Sequence, residues 1–100
     1  MTFIIWEMTA MHAFCKYADE TEVTFSDVVK NDAGENVLYV HFERPTEEGF
    51  DSVRFELPTY RIVYKEGHYS EKEIALFKTV VECGAPYFYQ FAAEGGPRIA

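Results

Sequence analysis

The chain has two cysteines, Cys15 and Cys83, and neither belongs to a C-x-x-C pair. Two scattered thiols exclude a disulfide scaffold and point to a reducing compartment, the cytoplasm. Positive charge is also scarce: nine Lys and Arg face seventeen Asp and Glu, for a formal net charge of −8. Nucleic-acid affinity rests on clustered cations that release phosphate counterions, so this balance weighs against a nucleic-acid partner. An anionic membrane surface is disfavoured for the same reason.

No apolar run reaches the roughly 18 residues of a membrane span. The opening "MTFIIWEMTAMHAFCK" has no basic start and is interrupted by Glu7, so it does not read as a signal peptide. Motifs that carry chemistry are missing too. There is no G-x-S-x-G, no H-E-x-x-H and no glycine-rich phosphate loop, and the acidic runs lack the spacing of a calcium loop. His12-x-x-Cys15 is the one metal-like spacing. A structural zinc needs four ligands from a chain holding three His and two Cys, so neither metal nor cofactor is expected.

What the chain has in excess is aromatic rings: nine Phe, seven Tyr and one Trp in 100 residues. A chain of this length makes one domain, and its interior cannot hide all of them. Tyr tolerates a surface position because an apolar ring ends in a polar hydroxyl.

The hydrophobic period places those rings. Thr2 to Trp6 is β-branched and aromatic, whereas Met8, Met11 and Cys15 fall at helical spacing; a short strand and one helix from about Ile4 both fit. From Val23 the period is two. "EVTFSDVV", "VLYVHFE", "DSVRFEL" and "YRIVYK" read as three or four antiparallel strands, with "NDAGEN" as a turn and "RPTEEG" as a six-residue loop. Pro58 marks a corner, bulge or edge.

Ser70 followed by Glu73 is a capping box that opens a helix. At 100° per residue, Ile74, Phe77, Val80, Val81, Gly84, Phe88, Phe91 and Ala92 form one stripe that keeps its phase through Pro86. That continuity predicts one helix, kinked at Pro86 and ended by Gly95-Gly96-Pro97, rather than a stop at Gly84 and a new helix. The expected architecture is α+β: a small antiparallel meander with a C-terminal, Pro-kinked helix packed on one face.

Two groups of side chains are candidates for function. Tyr39, Tyr87 and Tyr89 are candidate interface rings, with packing against the N-terminal segment as the alternative for Tyr87 and Tyr89. If Leu38, Val40 and Phe42 face the helix, then Tyr39, His41 and Glu43 face away, beside Arg54, Glu56 and Arg61. His41, Arg54 and Glu56 form a polar grouping with a histidine suited to acid–base work, or merely a polar sheet face. The leading expectation is a non-enzymatic interaction module that self-associates or meets a dedicated protein partner. The alternatives are an acidic regulator that occupies a basic protein surface, and a small-molecule protein or enzyme using His41 or Cys15.

Overall fold

The computed structural model describes residues 11–94. The architecture is α+β, with one antiparallel sheet and one C-terminal helix across one of its faces. The strands are β1 (Met11–Lys16), β2 (Glu22–Ser26), β3 (Val29–Lys30), β4 (Asn36–Thr46), β5 (Gly49–Leu57) and β6 (Arg61–Glu66), followed by α1 (Glu71–Ala93). The sheet order is β1-β2-β4-β5-β6, with β3 paired to β4.

Six strands exceed the expected three or four. One addition is β1, in a stretch where Met8, Met11 and Cys15 fall at helical spacing and the strand-like residues were Thr2 to Trp6. The helix preference of Ala and Met amounts to tenths of a kcal/mol per residue. Pairing β1 to β2 also lets Phe14 pack against the core residue Phe88, with ring centroids 4.9 Å apart. Phe14 is the extra residue of a bulge in β1, between Ala13 and Cys15. The expectation for Thr2 to Trp6 and the stop at Gly95-Gly96-Pro97 lie outside the described residues.

The second correction concerns the β4–β5 hairpin. "RPTEEG" is not a six-residue loop: Arg44 pairs with Asp51, Pro45 with Phe50 and Thr46 with Gly49, leaving Glu47 and Glu48 to turn the chain. An ion pair across the ladder holds the strands together to that point. Asp51 Oδ2 accepts from Arg44 Nη2 at 2.7 Å and from Nε at 3.1 Å.

Alternation then divides the sheet into two faces. Val23, Phe25, Leu38, Val40, Phe42, Val53, Phe55 and Leu57 point at the helix and are fully buried or nearly so. From α1 they meet Phe77, Val81, Ala85 and Phe88. Phe77 stacks on Phe42 with centroids 4.3 Å apart, and Phe88 leans on Phe25 at 5.2 Å. Burying each such ring contributes about 2–3 kcal/mol.

The helix runs unbroken through Pro86, so the reading with a stop at Gly84 is not what forms. The stripe is centred slightly differently from its expectation. Ala85 is buried, while Gly84 is half-buried beside the Phe88 ring, where a Cβ would come within 2.9 Å of a ring carbon. The capping box is present: Glu73 N donates to Ser70 Oγ at 3.1 Å, and Ser70 N to Glu73 Oε1 at 2.9 Å. No described helix is long and apolar enough to cross a membrane.

Candidate functional site

The outer sheet face brings the expected polar grouping together. Tyr39 lies opposite Glu56 and His41 opposite Arg54 in the β4–β5 ladder, and Glu56 lies opposite Arg61 in β5–β6. This face is not a wet polar surface: Arg54 is 4% exposed and Glu56 2%. The Arg54 guanidinium lies over the Tyr39 ring, 5.6 Å from its centroid, and Arg54 Nε donates to His41 Nδ1 at 3.3 Å.

That bond decides what His41 can do. An arginine has no lone pair to offer, so Nδ1 is the acceptor and the proton of the neutral ring sits on Nε2, 3.3 Å from Glu43 Oε1. Burial, reinforced by the Arg54 charge, lowers the His41 pKa to about 4. The ring is therefore neutral at pH 7, with its Nδ1 lone pair directed at the Arg54 guanidinium. Burial likewise lowers the Arg54 pKa to about 10. The grouping acts as a buried polar clasp between strands.

Glu56 has a different task. It accepts from Arg61 Nε at 3.0 Å and from Thr59 Oγ1 at 3.1 Å, and its backbone carbonyl accepts from Tyr60 N. These bonds hold the turn after the cis Leu57-Pro58 peptide, where Tyr60 takes a φ of +61°. The turn delivers Tyr60 to the helix side of the sheet.

There, between β6 and the N-terminal half of α1, lies a groove of about 450 Å³. Phe55, Tyr60, Ile62, Ile74 and Ala75 form its apolar lining, and Lys65, Lys78 and Glu71 complete it. Ile62 is 42% exposed. It faces the helix because it pairs with Phe55, while a bulge at Val63 restores Tyr64 to the outer face opposite Arg54. Tyr89 lies near enough for the Tyr60 charge to help raise its pKa, after burial as the main cause.

The other candidates spread out. Tyr39 is 8% exposed, so its ring offers little surface to another molecule. Tyr87 packs against Phe14 and Phe91, with centroids 6.3 Å and 4.7 Å away, and stays half-exposed on the β1 side of the helix. Tyr89, two residues on, is on the opposite flank of the helix, within electrostatic reach of Tyr60. Desolvation pushes the Cys15 thiol up, against a bond to Tyr17 that lowers it, so the residue lacks the stabilised thiolate of a nucleophile. His12 Nε2 is bonded to Asp27 Oδ1 at 2.7 Å.

The groove residues were not among the sequence candidates. The available signal was the Pro58-Thr59-Tyr60 turn beside the exposed β-branched Ile62, but the bulge at Val63 hides which face Ile62 takes. No protein-family model, curated protein or solved structure matches this chain.

Proposed function

We propose that this chain is a non-enzymatic protein-interaction module that seats an extended segment of a partner along the edge of β6, against α1. The observation that carries this reading is the apolar groove bordering an edge strand. Among the described residues, β6 pairs only with β5, and none of them forms a strand along its outer edge. An added strand gains affinity from main-chain hydrogen bonds, and the neighbouring groove sorts its side chains. Ile62 and Tyr60, which line the groove, supply the apolar and aromatic contact area typical of interface anchors.

Composition left two occupants open, a second copy and a dedicated partner. Two copies each carrying −8 repel one another at moderate salt, which favours a dedicated partner. Sedimentation of the purified chain is expected to report a monomer. Peptides selected from a random display library are expected to bind wild type and to lose about 2 kcal/mol, roughly thirtyfold in affinity, on Ile62→Asp. The control Phe50→Ser, at an exposed ring of the β4–β5 hairpin, leaves binding unchanged. Selected peptides indifferent to Ile62→Asp would overturn the reading, and a dimer dissolved by that substitution would make the occupant a second copy.

A further inference from the structure

Resting on that reading, we infer that the groove takes a partner segment in which an apolar side chain is flanked by Asp or Glu. The warrant is the distribution of the cations. Arg44 donates to three carboxylates, Arg61 pairs with Glu56, and Arg54 is bonded to His41 and lies over Tyr39. Lys16 pairs with Glu20. Four described lysines, Lys30, Lys65, Lys72 and Lys78, have no carboxylate within 4.0 Å among the described residues. Two of the four, Lys65 on β6 and Lys78 on α1, line the groove from its two sides.

Both lysines are exposed. Their four-carbon stems extend the apolar wall while the ammonium groups stay in water, ready to meet a carboxylate. Glu71 also lines the groove, but it stands in the first turn of α1, where a negative charge is favoured by the helix dipole. The groove thus carries a local excess of one positive charge on a chain of net −8. At physiological salt the screening length is about 8 Å, so a short segment seated in the groove responds most to these adjacent charges, whereas two whole chains approaching one another also meet each other's total of −8. A basic segment would meet unpaired ammonium groups inside the groove and a repelling field nowhere else; an acidic-flanked one meets its complement at the contact itself.

The test uses the full chain and fluorescein-labelled decapeptides recovered from a random display library. Acidic residues are expected next to the apolar position of the recovered sequences. Binding is expected to weaken about tenfold in the Lys65→Gln/Lys78→Gln double variant, and by a similar factor between 50 mM and 500 mM salt. Both positions are exposed, so the double variant folds as wild type, which a thermal melt verifies. Recovered peptides that are neutral or basic, or that bind the double variant as tightly as wild type, overturn this inference. If such peptides still lose affinity on Ile62→Asp, the groove reading stands without it. Peptides indifferent to both changes, or a library that yields no binder, count against both.

Discussion

Replacing Asp51 with alanine is expected to cost about 3–5 kcal/mol, read as a lower urea midpoint at unchanged slope. The carboxylate is only 5% exposed and works at both oxygens. Oδ2 accepts twice from Arg44, and Oδ1 accepts from the backbone N–H of His68 at 2.8 Å. Arg44 then reaches Asp19 and Glu73 through Nη1, at 3.0 Å each, and lies 4.5 Å from the centroid of Tyr69. Removing Asp51 leaves a half-buried guanidinium without its closest counter-charge and an amide without its acceptor.

The same hub ties the β1–β2 loop, the β4–β5 hairpin and the capping box of α1 into one unit. Gly67 is part of it. Its φ is +87°, and a Cβ there would collide with Asp51 Oδ1 and lie 2.7 Å from Asp51 Cα, so no side chain fits. Asp51→Asn keeps an acceptor for His68 and loses only charge, so it is expected to fall between alanine and wild type. A loss below about 1 kcal/mol for Asp51→Ala would contradict this account.

The hub also sets the acid limb of stability. The Arg44 bonds hold the Asp51 carboxyl below the usual carboxylate range, the Thr21 amide does so for Asp19, and the Ser70 amide for Glu73. A carboxyl with a depressed folded pKa stabilises fully above its unfolded value near about 4. That contribution disappears as pH falls through the lowered folded values.

The second large effect is expected at higher pH, from His41. Its folded pKa is about 4 against an ordinary 6.5. Between those values the unfolded chain binds a proton that the native ring refuses, so stability falls as pH drops. The His41 contribution is expected to decline by about 2 kcal/mol between pH 7.5 and pH 5. Glu43, whose carboxyl is pushed up chiefly by burial, with Glu22 adding to it, acts in the opposite sense and softens the wild-type slope. His41→Gln retains an acceptor for Arg54 and removes the titration. Urea midpoints at the two pH values are expected to converge for this variant relative to wild type. Parallel shifts in variant and wild type would show that His41 is not held neutral.

Much of the fold was legible because it rests on local periodicity. The two-residue alternation of Val53, Phe55 and Leu57 and the stripe of Phe77, Val81 and Phe88 each name their own buried face. Ser70 and Glu73 announce the helix start. What was hidden depends on pairs distant in sequence. β1 becomes a strand through its ladder with β2 and the contact of Phe14 with Phe88, neither of which local propensity records. The hairpin tip looked like a loop because Arg44 and Asp51 are each ordinary surface residues until the register sets them opposite one another. The outer grouping was legible in membership, since parity alone puts Tyr39, His41, Arg54 and Glu56 on one face. Its burial was not, and burial is what lowers the His41 pKa and ties the grouping across the strands. The groove escaped notice because one extra residue, Val63, shifts the faces of β6.

The proposed partner segment lies along β6 and α1. The most direct measurement of this placement is a titration of isotope-labelled protein with a selected peptide, followed by backbone amide chemical shifts. The account predicts that the perturbed amides run from Tyr60 to Lys65 and from Glu71 to Lys78, with Tyr89 at the margin. Shifts concentrated around Phe14 and Tyr87, or across the outer face at Tyr39 and His41, would contradict it.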